Sequence, residues 1–351
     1  MTPLIYSLHS GNLYGTERMA LATAAGLRDE FDTIFFAPQG PFHAEAARLG
    51  FRSLEFETTS RYFADLRPFF ARNTQIAALG TRVLHTIAAD FWSRLYFRKC
   101  ANIQVVHGGA DERLSYGRKR WLDLLGAKQV AVSQFVRQRM ESHGADPARI
   151  TVIENFLTPE TIAATPRRGP YLAPGIRRVA IVSRLDPVKR LDLLLDTLDL
   201  DPSLRTMEFA VYGSGPDAEL LKTRALASHP NVQFMGFRPD VANLVSQADL
   251  LLHLCPEEPF GLAILEAMAA GVVVLVPDSG GAGAIVDEGH TGFHFVANDA
   301  ADLARILHVL DRSPAALLES AAEQAGLALR SRYSATAGVL AYRNLIHRCL
   351  R

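Results

Sequence analysis

Short apolar runs alternate with stretches of helical periodicity along most of the chain, which indicates alternating strands and helices. Strands are predicted over 3–9, 33–37, 101–106, 128–132, 150–155, 179–182, 209–212, 232–236, 248–254 and 272–276. Helices are predicted over 15–27, 41–49, 134–143, 262–270, 302–310, 314–330 and 335–350. Strands separated by helices predict an α/β fold with parallel sheets, whose ligands bind beyond the carboxyl ends of the strands.

The stretch 158–178 is dense in residues that interrupt regular structure, with four prolines and two glycines. This density predicts a domain boundary, and 351 residues suffice for two domains with separate cores. We therefore predict a first domain over 1–160, a second domain over 175–334 and a terminal helix over 335–351.

Charge is balanced overall but uneven along the chain. The 37 Lys and Arg residues match 37 Asp and Glu residues, which argues against a nucleic-acid partner. The stretch 61–120 nevertheless holds eleven basic residues against four acidic ones. Within it, 66–99 reads as one long amphipathic segment in which aromatic residues alternate with arginines. Such a segment is suited to an anionic membrane surface, and packing of its aromatics into the core is the alternative.

Cysteine and acidic residues give no sign of a metal site or a disulfide framework. The three cysteines, Cys100, Cys255 and Cys349, are widely spaced, which predicts a reducing compartment. The pair Asp199 and Asp201 has the D-x-D spacing of metal-dependent transferases, but it lies among surface acids and we interpret it as a solvated turn. With no secretion signal and no membrane-spanning apolar run, we expect a cytoplasmic protein, with peripheral contact at the inner membrane face as an open alternative.

The stretch 253–271, HLCPEEPFGLAILEAMAAG, is the strongest candidate for a binding element. A loop rich in proline and acid leads through Gly261 into a helix that is apolar except for Glu266. The first N–H groups of a helix have no partner within it, so they form an anion site together with the helix dipole. Glu258 precedes this site. We expect Glu266 to be buried and therefore partnered, either by an arginine or by hydroxyl groups of a ligand.

The segment Glu258 to Gly261, together with Glu266, resembles the E-x7-E motif of retaining glycosyltransferases with the GT-B fold, family four, which includes sucrose and glycogen synthases. The resemblance implies two Rossmann-like domains that face a central cleft, with the final helix crossing back onto the first. It implies that Glu258 faces the donor sugar and that Glu266 binds the nucleotide ribose. The amides that would hold sugar and phosphate belong to Phe260, Gly261 and Leu262.

Further segments share the resemblance. Residues 183–190 are similar to the family's G-R-L…K segment, which implies that Arg184 and Lys189 bind the donor diphosphate and stabilise its leaving charge without a metal. The turn at Gly213 and the strand end at Arg238 are similar to nucleotide contacts. In the first domain, the resemblance assigns the loop before Gly15 to the cleft and His107 to a position near the donor sugar.

Four positions depart from the family pattern. Tyr14 precedes Gly15 where the family has a glycine pair, Phe156 follows Asn155 where glycine is usual, and Ser183 replaces a glycine. Ala284 stands where relatives have a glutamate, which puts one hydrogen bond near the donor in doubt.

The function implied is a retaining, metal-independent glycosyltransferase, with Glu258, His107, Arg184 and Lys189 as its catalytic residues. Its donor would be a UDP- or GDP-sugar, with UDP favoured, and it would use no further cofactor. The acceptor would be a hydroxyl group of a glycan, a glycolipid or a small molecule, and the departing phosphate oxygen would take its proton. A nucleotide-sugar epimerase of the same fold and a non-catalytic sugar-nucleotide-binding protein are the alternatives.

Overall fold

The computed structural model describes residues 1–109, 116–238 and 240–351. The chain divides into two compact units. Unit 1 comprises Met1–Phe156 and Ala335–Arg351, and unit 2 comprises Leu157–Ser334. Among the residues described, no helix has both the length and the apolar character needed to cross a bilayer.

Unit 1 is built on a parallel sheet of seven strands in the order β3-β2-β1-β4-β5-β6-β7. The strands are β1 Thr2–Ser7, β2 Phe31–Ala37, β3 Arg52–Glu55, β4 Gln75–Gly80, β5 Lys99–Val106, β6 Lys128–Ala131 and β7 Ile150–Val152. The helices are α1 Gly15–Leu27, α2 Phe42–Arg48, α3 Thr59–Arg72, α4 Val83–Leu95 and α5 Gln134–Ser142. The terminal helix, Ala335–Leu350, also belongs to this unit and is numbered last, as α14.

Unit 2 is built on a parallel sheet of six strands in the order β10-β9-β8-β11-β12-β13. The strands are β8 Arg178–Val182, β9 Glu208–Tyr212, β10 Val232–Gly236, β11 Leu250–Leu252, β12 Val273–Pro277 and β13 Phe293–Phe295. The helices are α6 Pro159–Ala164, α7 Leu191–Leu200, α8 Ala218–Ser228, α9 Val241–Val245, α10 Leu262–Ala270, α11 Gly280–Gly283, α12 Ala300–Asp311 and α13 Ala315–Arg332. The predicted α/β class with two Rossmann-like domains is therefore confirmed.

The segment 66–99 is not one amphipathic element, and treating it as one was wrong. It contains the end of α3, the whole of β4 and the whole of α4. β4 lies in the middle of the sheet, and its residues 76–80 are all buried. A strand buried on both faces has no polar alternation to reveal it. The short edge strand β3 was also missed, because most of its side chains are exposed and it has no apolar run.

α14 packs on unit 1 at two glycines that leave room for larger neighbours, Gly26 of α1 against Val339 and its own Gly338 against Phe156. A Cβ atom on Gly26 would lie 2.2 Å from Cγ2 of Val339, and one on Gly338 would lie 2.2 Å from Cδ1 of Phe156. The carboxylate of Glu30 forms an ion pair with Arg343 of the terminal helix, whose Nε lies 2.8 Å from Oε1. Close packing and charge thus tie the last helix to the first unit.

We predict that Gly26→Val destabilises unit 1 by about 1–3 kcal/mol, because overpacking a tight helix contact forces the helices apart. Thermal or urea unfolding measures the change. Gly169→Ala is the matched control, since no atom lies within 4 Å of the position of its added Cβ. Equal stability of the Gly26→Val protein and the wild type would contradict the packing described here.

Candidate active site

The winding of the unit 2 sheet reverses between β8 and β11, which lie side by side. Loops that leave the carboxyl ends of two such strands diverge to opposite faces and open a crevice, where α/β proteins bind ligands. Here the loops are 183–190 after β8 and 253–261 after β11. Both loops were predicted from the sequence to bind the donor, and the structure places them at the same edge of the sheet.

The centre of this edge is a buried ion pair between Lys189 and Glu258. The lysine Nζ lies 2.6 Å from Oε2 of the carboxylate, and the two side chains are 19% and 14% exposed. Nε2 of His253 lies 3.3 Å from the same oxygen. The ammonium and the imidazole therefore approach a single carboxylate oxygen from two different loops.

The electrostatics of this pair favour full ionisation. Burial alone would raise the pKa of Glu258, but the Lys189 ammonium and His253 together outweigh it and hold the pKa well below its usual range. Burial would likewise lower the pKa of Lys189, and the charge of Glu258 outweighs that effect and raises it. Lys189 is a fixed cation at neutral pH, and Glu258 is a fixed hydrogen-bond acceptor.

The β11 loop is held in place by backbone packing. Gly261 adopts a φ of 107° as the residue before α10, a conformation that suits glycine alone. The turn after β12 lies against the same loop, because Gly281 N donates to Glu258 O over 2.6 Å. A Cβ on Gly281 would lie 2.2 Å from the carbonyl oxygen of Pro259. These contacts fix the backbone that carries the Glu258 side chain.

The β8 loop is held in a similar way by the turn after β9. A Cβ on Gly213 would lie 1.8 Å from the carbonyl oxygen of Ser183, and one on Gly215 would lie 2.1 Å from that of Leu185. The two glycines leave room for the backbone of the β8 loop, and they help in this way to position Lys189.

Two other predicted site residues, Arg184 after β8 and Arg238 after β10, are more exposed than Lys189. Arg184 is 58% exposed and pairs with Asp186, its Nε lying 2.6 Å from Oδ2. Arg238 is exposed and pairs with Asp240. Both arginines are free to turn toward solvent, unlike Lys189.

One residue of the α10 motif, Glu266, differs from expectation in its burial. The side chain of Phe260 is buried and meets Tyr333 edge to face at 5.8 Å, so only its backbone can contact a ligand. Glu266, expected to be buried, is only half-buried. Leu262, the first residue of α10, is also half-buried. Ala284 is exposed at the end of α11.

Sequence analysis assigned no role to His253 or Cys255. His253 is 7% exposed and its Nε2 has no aligned hydrogen bond, and Cys255 is a buried free thiol. The signal was the spacing His-x-Cys-x-x-Glu, which places three metal-binding side chains in one loop. The D-x-D pair differs from this group, since Asp199 pairs with Arg224 and Asp201 with His308 at the surface.

Unit 1 carries its own group of titratable side chains at the carboxyl edge of its sheet. His107 follows β5, and its buried Nε2 has no hydrogen-bond partner among the described residues. Burial lowers the pKa of His107 to about 3. Nδ1 of His9, after β1, lies 3.2 Å from the hydroxyl of Thr81, after β4. His107 and His9 thus lie at the edge that the parallel topology predicts for ligands.

The loop before α1 brings a buried acid to this edge. Gly15 begins α1, and Oε2 of Glu17 accepts from the backbone N–H of Tyr14 at 3.2 Å. Glu17 has no exposed surface, and burial raises its pKa to about 7. Its Oε1 lies 4.0 Å from Nδ1 of His9 and accepts no hydrogen bond.

Two positively charged side chains, Lys119 and Arg82, also lie near this edge. Lys119 is 6% exposed, and burial lowers its pKa to about 8. Lys119 and the exposed Arg82 both lie close enough to His9 to help lower its pKa, after burial. Burial disfavours the charged form of Lys119, and an anionic ligand at this edge would offset that cost.

Two family models match the chain, one on each unit. The model described as "Glycosyl transferases group 1" matches residues 172–325, and the model described as "Glycosyltransferase Family 4" matches residues 14–161. Together they span most of the chain. The chain belongs to the family-four glycosyltransferases.

Curated relatives agree with this family over part of their length. A D-inositol 3-phosphate glycosyltransferase of Nocardia farcinica is 30% identical over an alignment of 230 residues. The match covers 60% of this chain and 50% of the relative. A D-inositol 3-phosphate glycosyltransferase of Mycobacterium avium is 33% identical over an alignment of 189 residues. That match covers 51% of this chain and 45% of the relative. The chain thus spans about half the length of the curated relatives it matches.

Solved structures agree with the fold over the whole chain. HepE of Anabaena, crystallised with UDP-glucose, has a TM-score of 0.81 at 20% identity and covers 99% of this chain and 100% of that one. A glycosyltransferase from Rickettsia africae has a TM-score of 0.79 at 18% identity and covers 100% of this chain and 99% of that one. The predicted GT-B fold is confirmed.

We predict that Glu17 makes unit 1 less stable as pH rises. Its pKa is about 7 in the folded state against a usual 4.5, so between these values the unfolded chain has released the proton that the folded chain keeps. Stability should be full below pH 4.5 and fall by up to about 3 kcal/mol by pH 7. Urea unfolding at several pH values measures the slope.

Glu17→Gln is the control, because glutamine keeps the helix cap without the charge. The variant should lose this part of the slope and be more stable than the wild type at pH 8. Identical pH profiles for the two proteins would contradict a buried, proton-binding Glu17.

Proposed function

We propose that this protein is a retaining, metal-independent glycosyltransferase that moves a sugar from a UDP- or GDP-sugar, UDP being favoured, to an acceptor hydroxyl. The observation that carries the proposal is the buried Lys189–Glu258 pair at the switch point of unit 2. Membership of the family supports it. The UDP-glucose in the HepE complex supports the choice of nucleotide.

Lys189 and Arg184 bind the donor diphosphate in this proposal. The diphosphate gains negative charge as it leaves, and a cation already fixed in place stabilises that charge without reorganisation. Lys189 is held by Glu258 and needs no movement. Arg184 must turn from Asp186 toward the diphosphate, which its exposure allows.

Glu258 accepts hydrogen bonds from donor-sugar hydroxyls, and Glu266 accepts from the ribose. The N–H groups at the start of α10, from Gly261 onward, face phosphate and sugar oxygens. A carboxylate with so low a pKa is a poor proton acceptor, so Glu258 orients the sugar and is not a general base. His107 is neutral and can offer Nε2 to a substrate hydroxyl.

Retention follows if the acceptor attacks the face from which the diphosphate leaves. The bond between the anomeric carbon and the phosphate oxygen breaks, and a bond to the acceptor oxygen forms. The acceptor proton passes to the departing phosphate oxygen. Neither a metal ion nor a separate base takes part in these steps.

The acceptor carries a negative charge in this proposal. Lys119 and Arg82 bring positive charge to the carboxyl edge of unit 1. The names of the curated relatives specify inositol 3-phosphate, an acceptor of that charge. A phosphorylated polyol or an anionic lipid-linked sugar has the same chemistry.

Peripheral membrane contact is proposed for the exposed face of α4. Ile87, Phe91 and Leu95 follow one another at intervals of four residues and are 43%, 49% and 54% exposed. Phe97 follows at 94%, and Arg94 lies beside it on the same segment. Apolar side chains next to arginines suit the headgroup region of an anionic bilayer. Trp92, in contrast, packs inward and donates to the carbonyl of Phe63.

A non-catalytic sugar-nucleotide-binding protein is the second candidate. Ala284 favours it, because the family glutamate at that position is missing and the alanine is exposed. Turnover distinguishes the two functions.

We predict that Phe91→Ser with Leu95→Ser lowers sedimentation with anionic vesicles at least about threefold, because burial of each side chain contributes about 1.5–3 kcal/mol at most. The matched control is Leu327→Ser, since Leu327 lies in unit 2 and is 58% exposed. Unchanged sedimentation of the double variant would exclude this face as the contact.

We predict that Lys189→Met slows transfer from the preferred donor by about 100-fold or more, because the leaving charge loses its fixed cation. Initial rates of nucleotide release with acceptor present measure the change. Lys222→Met, an exposed lysine of α8 in the same unit, is the control and should retain full activity. Equal rates for both variants would refute the role of Lys189.

A further inference from the structure

The β11 loop brings three metal-binding side chains together. Ligand atoms of His253, Cys255 and Glu258 all lie within 4.8 Å of one another. No second group of three His, Cys, Asp or Glu side chains lies this close together in the described part of the chain. His253 is 93% buried by side-chain area, and its Nε2, 3.3 Å from Glu258 Oε2, has no aligned hydrogen bond. The imidazole nitrogen and the carboxylate oxygen thus lie close enough together to be ligands of one ion.

The donor set indicates which cation would fit. An imidazole nitrogen, a thiolate sulfur and a carboxylate oxygen are the ligands of Zn²⁺ and of softer ions such as Cd²⁺. Mg²⁺ and Ca²⁺ prefer oxygen ligands throughout, so they match this group poorly. Three protein ligands also leave one tetrahedral position for water or a phosphate oxygen.

The Lys189 ammonium competes with such an ion. Its Nζ lies 2.6 Å from the Glu258 carboxylate, which a bound cation would also use. Two cations cannot share one carboxylate in a buried site without strong repulsion. A divalent ion must therefore displace Lys189, and the partial exposure of Lys189 and Glu258 gives it a route to the site.

We propose that His253, Cys255 and Glu258 form an inhibitory site for a thiophilic divalent cation of the Zn²⁺ class, which binds in competition with Lys189. On binding, the Cys255 thiol gives its proton to water and the sulfur bonds to the ion. No oxidant or reductant is needed. The inhibition rests on the proposed function, whereas the binding does not.

The first test measures binding without activity. Cd²⁺ is titrated into the full chain under reducing conditions, and the ultraviolet sulfur-to-cadmium absorbance and the heat of Zn²⁺ binding are recorded. One equivalent should bind with a thiolate signal. Cys255→Ser should abolish the signal and weaken Zn²⁺ binding about tenfold or more. Cys100→Ser, the control, should change neither.

Lys189→Met gives the sharper result. Removing the competing ammonium should tighten Zn²⁺ binding about tenfold or more, although the same change impairs transfer. A site that merely collects surface ions would not respond. Unaltered binding in Lys189→Met, or equal binding by Cys255→Ser and wild type, overturns the proposal.

The second test measures inhibition. Zn²⁺ should inhibit nucleotide release by the wild type, and Cys255→Ser should keep normal basal activity and resist Zn²⁺. Binding of Zn²⁺ without loss of turnover would overturn the inhibitory role. If the protein shows no turnover with any donor, the proposed function fails, and the binding measurements still decide whether the site exists.

Discussion

An ionised carboxylate that is buried needs a cation or hydrogen-bond donors, and unit 2 supplies Glu258 with the ammonium group of Lys189. Lys189 comes from the loop after β8 and Glu258 from the loop after β11, so the pair joins two neighbouring strand ends. Breaking a buried pair by removing one partner costs about 3–5 kcal/mol. The pair therefore holds the two loops at a fixed distance and keeps both side chains ionised.

Backbone contacts make this geometry possible. Gly213 lets the turn after β9 lie against Ser183, and Gly281 lets the turn after β12 lie against Pro259. Side chains at these glycines would push the loops apart. The site is thus assembled by four loops, although only two of them carry its charged groups. A substrate diphosphate would enter a region where one cation is already oriented.

Much of this was predictable from local sequence. The helix Leu262–Ala270 has the predicted ends, because Gly261 and Gly271 mark them. The segment 66–99 was interpreted wrongly because β4 is buried on both faces and has no alternation of polar residues. The proximity of Lys189 to Glu258 spans 69 residues, and no local pattern determines it. His253 was missed for a similar reason, since only its distances to Glu258 and Cys255 in the folded chain mark it as a possible ligand.

The most direct measurement of the central claim is donor hydrolysis without acceptor. The purified protein is offered a panel of UDP- and GDP-sugars, with and without a chelator, and nucleotide release is followed. The account predicts slow release from one donor at a rate that the chelator does not lower. Release that the chelator abolishes would contradict a site in which Lys189, rather than a metal ion, stabilises the leaving diphosphate.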